Sequence, residues 1–519
     1  MVDIEINDLA QVGSIRDQEG YQLVPEAFTL ADNMRFSANG VERIGGRSQV
    51  FGTPLFAPHF LLPIQSAAQQ VFWIYTSLTG AAVYDGATHT DITRTLGPYG
   101  AGDTKDWNGL VFGGTPILNN LNDDPQAWLS LSPGTKLVKL PNWPANTKAK
   151  ILRSLGSFLI AFNINKNGTL YPHMVKWSHP ADPGTVPISW DPADETLDAG
   201  ENDLPDVNAG VIQDALPLRG QMFIYKNNSV WRMRFVGGLF IFDFDTLLET
   251  AGLMTQRALT LTSDGQKHVF ATQDDILIHN GTSAESILNT RFRQTLINAI
   301  DPVTYINSFM FTDPFRDECF FCYPERGLTN PNRAIVFNSR TGNLSETAVN
   351  FRNAAVGVIQ VPSSTTWTSI GGTWDAVVGP WSINTRRKVV VCATDSVKFL
   401  QLDDGNTFDT TVFTGTLQRV GLGVVGRKRS GEWIVDFTKQ KLVRRLWIKG
   451  SGGPFNVRVG FQALPDGIVN WTTPQSFDPI TQKYIDVTGS GKAIAVEFSG
   501  TVPFRVAGYK PEIMLLGRF

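Results

Sequence analysis

Cys319-Phe320-Phe321-Cys322 has the C-x-x-C spacing that, in a loop, holds a soft metal or cycles as a dithiol. Here it sits inside a strand-forming run, where residues three apart point to opposite faces, so the pair reads as buried structural thiols. With Cys392 the chain has three cysteines, too few and odd in number for a disulfide framework. The six histidines (His59, His89, His173, His179, His268 and His279) form no HExxH motif, and each has a strand-end or loop setting. No GxSxG elbow, P-loop or GxGxxG before a helix occurs. No catalytic, cofactor-binding or metal-ligating set is therefore assigned, and the chain is expected not to be an enzyme.

Carboxylates are the remaining candidates. Ser263-Asp264-Gly265 hints at the aspartate turn of sialidase propellers, but Lys267-His268 stands where Thr-Trp should follow. A glycosidase needs two acids converging in one cleft. The pairs Asp123-Asp124, Asp274-Asp275 and Asp403-Asp404 read more simply as turn formers.

Charge clustering is more distinctive. From 178 to 218 the chain carries Asp182, Asp191, Asp194, Glu195, Asp198, Glu201, Asp203, Asp206 and Asp214 with no Lys or Arg. Uncompensated acids repel, so this Pro-rich stretch is expected as a solvated insertion that a partner or cation would neutralise, although it lacks calcium-loop spacing. Arg419, Arg427, Lys428, Arg429, Lys439, Lys441, Arg444, Arg445 and Lys449 face only Glu432 and Asp436, a local balance of +7. Such a patch can neutralise DNA phosphates. A charge-matched contact with the acidic stretch of a neighbouring copy is the preferred expectation, with solvated strand faces as the plain alternative. Residues 353–374 carry no charge at all, and Trp367, Trp374 and Trp381 recur every seven residues, as in an interface core or in packed strands.

These residues must be positioned by a β framework. Charged residues are 18% of 519 and hydrophobic residues 42%, which argues against wholesale disorder. Lys and Arg (45) against Asp and Glu (48) give a net charge of −3, excluding a globally basic nucleic-acid binder. The acidic N-terminal residues resemble no secretory leader, and no apolar run approaches the ~20 residues a membrane helix needs. Gly (48) and Pro (29) punctuate short Phe-, Val-, Ile- and Trp-rich runs, the cadence of many short strands. Runs starting at Val71, Leu110, Phe158, Met222, Val269, Cys319 and Val389 are separated by 39, 48, 64, 47, 50 and 70 residues. Propeller blades recur every ~40 to 50 residues, so six or seven blades with inserted loops are expected, a series of β-sandwich hairpins being the alternative. One short helix is expected from Asn289 to Ile300, where Phe292, Leu296 and Ile300 share a face. Asn39-Gly40 predicts a hairpin turn. Val457, Val459 and Phe461, and Ile494, Val496 and Phe498, alternate with more polar or smaller residues, predicting half-buried strands.

The stretch PEAFTLADNMRFSANGVERIGG (25–46) resembles the opening segment of virion structural proteins of short-tailed bacteriophages. KLVRRLWIKGSGGPFNVRVGFQ (441–462) and AIAVEFSGTVPFRVAGYKPEIM (493–514) resemble their closing β-domain. The family is the tail nozzle or tail hub, also described as DNA-stabilising or head-completion protein. The resemblance covers roughly a quarter of the chain, at its two ends, and brings no catalytic residue. It implies a propeller-bearing subunit of a homo-oligomeric ring, expected as a hexamer, in the virion tail, made in the bacterial host cytoplasm. Implied partners are adaptor or portal-side proteins, a needle, plug or fibre protein, and double-stranded DNA held transiently without sequence preference.

The expected organisation is all-β: an N-terminal capping segment (1–60), a β-propeller (61–404) with the acidic insertion 178–218, and a C-terminal β-sandwich (405–519). Candidate interface residues are Arg427, Lys428, Arg429, Lys439, Lys441, Arg444, Arg445, Asp194, Glu195, Asp198, Glu201, Asp203, Trp367 and Trp374. From another functional class, a carbohydrate-binding or glycan-degrading propeller that recognises a receptor is the alternative.

Overall fold

The computed structural model describes residues 2–517 other than 67, 69, 103–105, 206–209, 239 and 362–383. It is mostly β, with one α-helix among the described residues, Asn289–Ala299. That helix matches the expected span and buries Phe292 and Leu296. The chain divides into two compact units, residues 1–48, 260–350 and 403–519 in one and 49–259 with 351–402 in the other.

The second unit is a succession of small antiparallel sheets. Phe60–Gln65, Val71–Thr76, Ala81–Tyr84 and His89–Asp91 form the first meander. Asn108–Phe112 to Val138–Lys139 form the next, Thr147–Leu155 to Gly200–Asp203 the third, and Ile212–Leu218 to Phe242–Leu248 the fourth. Phe351–Val361, Asn384–Ala393 and Phe399–Leu402 pair in a further sheet.

Sheets of this size cannot bury both faces alone, and the side chains show how each is covered. In Phe158–Lys166, Phe158, Ile160 and Phe162 pack with Met222, Ile224 and Met233 of the fourth meander. Leu159 and Ala161 point the other way, onto Phe112 and Ile117 of the second. Val71–Thr76 divides likewise: Phe72 and Ile74 join Trp107 and Leu118, while Trp73 and Tyr75 join Ile359, Val390 and Phe399. Burial on both faces explains why these strands are apolar without a break.

The first unit contains the meander Phe309–Asp313, Glu318–Tyr323, Arg333–Asn338 and Leu344–Ala348. Its last strand pairs in parallel with Leu30–Asp32, which pairs antiparallel with Gly415–Leu422, followed by Ala493–Gly500 and Phe455–Gln462. A second sheet runs Met34–Ser37, Gly40–Arg43, Phe504–Leu515, Lys441–Gly452 and Tyr484–Gly491. Between the two sheets lie Phe28, Phe36 and Val41 together with Val443, Leu446, Val457, Val496, Phe498 and Val506.

Three expectations change here. The N-terminal segment is not a separate cap, because its strands belong to both sheets that sandwich this core. The hairpin turn is Ala38-Asn39, one residue earlier than expected, and Gly40 opens the return strand at φ +123, with space for a Cβ denied by the Val506 carbonyl 2.4 Å away. Ala493–Gly500 is buried on both faces, since Ala493, Ala495 and Glu497 are covered as well as Ile494, Val496 and Phe498.

Candidate functional site

The basic cluster separates into interior and surface groups. Arg419 is buried, and its guanidinium donates to the carbonyls of Gly20 (2.8 Å) and Leu23 (2.9 Å). Burial lowers its pKa to about 10. Lys441 is also fully buried; its ammonium donates to the carbonyls of Asp436 (2.5 Å) and Lys492 (2.6 Å), and burial lowers it to about 8. Lys441 is therefore a structural cross-link, not a surface contact, because at the start of its strand it shares the inward face with buried Val443, while Leu442 between them is only half-buried.

Most of the surface members are already partnered. Lys428 pairs with Glu432 (2.7 Å), Lys439 with Asp436 (3.8 Å), Lys449 with Glu5, and Arg445 with Asp486 (2.9 Å) while lying over the Tyr484 ring. Arg427 lies over Trp433 and donates to the Gly431 carbonyl (2.6 Å). Arg429 and Arg444 are exposed and make no ion pair among the described residues. The surface cations without a carboxylate partner among the described residues thus reduce to the guanidinium groups of Arg427, Arg429 and Arg444.

The described part of the acidic stretch, which leaves out Asp206, is more ordered than an extended insertion. Gly200–Asp203 is the outer strand of the third meander, paired with Thr169–Trp177, and Ile212–Leu218 opens the fourth. Trp190 is buried against Trp143, with ring centroids 4.7 Å apart, and so ties the connection down. Glu201 accepts from Lys166 (2.6 Å) and Lys176 (3.0 Å), which lowers its pKa despite burial, and Asp214 accepts from Arg153 (2.5 Å). Compensation therefore comes from lysines and an arginine outside the 178–218 window, where charge counting along the chain could not see it. Asp194 receives the hydroxyl (2.6 Å) and amide of Thr196, which lower its pKa; Glu195, Asp198 and Asp203 are exposed. Trp367 and Trp374 lie outside the described residues.

The chemistry-bearing types are held in structural roles. Cys319, Cys322 and Cys392 are buried free thiols, and burial raises Cys319 and Cys392 to about 12. Asp264 closes its own turn, accepting from Thr262 Oγ1 (2.6 Å) and the Gln266 amide (3.0 Å). Asp123 accepts from Arg94 and the Gly100 amide, both at 2.7 Å. His279 is buried beside His268, and burial lowers it to about 4.

Sequence reasoning missed a buried ionic site in the first unit. Arg35 donates to both oxygens of buried Glu318 (2.6 and 2.9 Å) and to Asp403 (2.9 and 3.2 Å), which also receives Arg316 (2.9 Å). Burial opposes charge on Asp403, but the two arginines outweigh it and hold its pKa below the usual carboxylate range. The partners stand 283 and 368 residues from Arg35, so no local pattern could reveal them.

An open cleft of about 710 Å³ lies at one end of the second and third meanders, lined by Leu121, Asn122, Lys148, Asn165, Asn167 and Leu170 among others. Lys148, Asn165 and Leu170 occupy one cross-strand row.

No protein-family model matches the chain, and no curated protein matches it. Among solved structures it is similar to the extracellular domain designated a one-component system of B. thetaiotaomicron, at 8% identity and a TM-score of 0.40 over 70% of this chain, spanning 40% of that one. It is also similar to the AfRom2 CNH domain (10% identity, TM-score 0.36, 69% of this chain and 98% of that). Apo AztD from Citrobacter koseri gives 11% identity and a TM-score of 0.34, over 74% and 95% of the two chains.

Proposed function

We propose that this chain is a structural subunit of a short phage tail, a nozzle or hub, which forms a ring that retains packaged DNA and conducts it during ejection. The observation that carries the reading is the core of the first unit. The three stretches resembling tail-nozzle proteins, far apart in sequence, supply Phe28, Phe36 and Val41, then Val443 and Val457, then Val496 and Val506 to one hydrophobic cluster. The seven repeated runs also fall in seven different sheets, as small repeated sheets of a propeller of six or seven blades would have them, five of these runs lying in the second unit. In the proposed ring, identical copies close around a channel and are held by surface burial rather than chemistry. DNA passes with transient phosphate contacts, and adaptor and needle, plug or fibre proteins adjoin the ring.

Light scattering and negative-stain microscopy of the purified chain test the ring, with gold labelling of phage particles to locate it. Annular particles, and label at the tail, are expected. If the exposed guanidinium groups meet the acidic surface of the next copy, Arg429→Glu with Arg444→Glu weakens assembly at low salt and leaves thermal unfolding unchanged. A chain that stays monomeric and is absent from tails overturns the proposal.

One observation favours a second reading, a carbohydrate-binding tail protein. Amide side chains both donate and accept, as sugar hydroxyls require, and the cleft brings Asn122, Asn146, Asn165 and Asn167 together. Retention on a glycan panel, lost in Asn165→Ala, would favour it.

A further inference from the structure

The hairpin joining Val230–Phe235 to Phe242–Leu248 ends in an unusual tip. The described residues of the tip, 235–238 and 240–242, carry no charged or hydrogen-bonding side chain, yet Phe235, Val236 and Phe240 are 57%, 54% and 74% exposed. Gly237 and Gly238 both adopt φ +69, the left-handed conformation that lets the chain reverse within so few residues. Below the tip, Phe235 packs on Phe158 and Phe242, at 5.6 and 5.8 Å between centroids, so the loop rises from a fixed aromatic base.

We infer that this hairpin tip inserts into the interfacial layer of a lipid bilayer. Three features favour lipid over a protein occupant. The exposed side chains offer roughly 350 Å² of apolar surface, taking ~200 Å² for a phenylalanine, well short of the ~800 Å² per partner of a stable protein interface. The amides of Val236 and Gly237 both donate to the Ile241 carbonyl (3.1 and 3.3 Å), so these two groups enter an apolar layer already satisfied. The charges nearest the tip are closed on one another: Arg234 pairs with Asp243 (2.5 Å) and Arg232 with Asp245, across the two strands. Those pairs leave no net charge to recruit a charged protein and would lie at headgroup level. Three residues of strand beyond them reach about 10 Å, the depth of an interfacial insertion. The inference does not depend on ring formation.

Val236→Cys supplies a reporter site, because the three native thiols are buried and protonated at neutral pH. The full chain labelled there with an environment-sensitive fluorophore is titrated with vesicles of phosphatidylcholine, and of phosphatidylcholine with phosphatidylglycerol at about 3:1. A blue shift with a several-fold gain in emission on both vesicles is expected, with flotation of the unlabelled chain. Phe235→Asp with Phe240→Asp should weaken both by at least about fivefold, with near-ultraviolet circular dichroism confirming the fold. No shift in the folded protein overturns the inference. So does binding only to anionic vesicles that the double variant retains, or a shift that grows with protein concentration without lipid, which would mean a second copy covers the tip.

Discussion

Removing the Arg35 guanidinium strands two carboxylates in the interior of the first unit. Glu318 is buried with it and loses both of its guanidinium hydrogen bonds, and Asp403 loses one of the two arginines that hold it, keeping Arg316 and the Gly45 amide. Breaking a buried ion pair from one side typically costs about 3–5 kcal/mol, so Arg35→Met is expected to lose that much at pH 7 in denaturant unfolding. The pH dependence has a definite sign. Asp403 is held below its ordinary value in the folded chain, so its contribution is present above the unfolded pKa of ~3.9 and disappears as pH falls through the folded one. In Arg35→Met the stranded acids gain by protonation, so the gap between variant and wild type narrows from pH 7 toward pH 4. A gap independent of pH would mean that lost packing, not charge, sets the cost. At this scale the sequence was least informative: Lys441 looked like a surface cation and is an interior one, whereas Arg35 drew no notice. Arg35 was hidden because its partners lie 283 and 368 residues away, and Lys441 because its ammonium is satisfied by the backbone carbonyls of Asp436 and Lys492, which no charge pattern marks.

Strands were more legible than single residues. The runs from Val71, Phe158, Met222, Val269, Cys319 and Val389 fall on inner strands of separate sheets, because only inner strands covered on both faces read as unbroken apolar sequence. Outer strands such as His89–Asp91, Val138–Lys139 and Gly200–Asp203 are short and polar, and they carried no such signal. The same blindness made 178–218 look like one insertion, when it includes the outer strand of one meander and the opening strand of the next. Trp190 is the anchor between them, 2% exposed and edge-on to Trp143. Trp190→Ala should therefore cost about 3–5 kcal/mol, the usual range for deleting a buried tryptophan. It should also open the 182–198 connection to limited proteolysis before global unfolding. Mass spectrometry of the early fragments checks the second point, and cleavage elsewhere first would count against Trp190 as the tether.

At the scale of the molecule, the first unit is assembled from three separated parts of the chain. A C-terminal sandwich of 405–519 suggests a domain able to fold alone, and the strand order argues otherwise. Without residues 1–48, Phe504–Leu515 loses its pairing with Gly40–Arg43, Gly415–Leu422 loses Leu30–Asp32, and the shared core loses Ile4, Ile6, Phe28, Phe36 and Val41. Five large apolar groups removed from one core leave far more exposed surface than a marginally stable domain tolerates, since whole domains are stable by only about 5–15 kcal/mol. The isolated 405–519 fragment is thus expected to lack cooperative thermal unfolding and dispersed amide resonances. Co-expression with residues 1–48 should restore part of that order, because the missing strands belong to the same two sheets. A fragment that unfolds cooperatively by itself would make the N-terminal strands an addition to a finished sandwich.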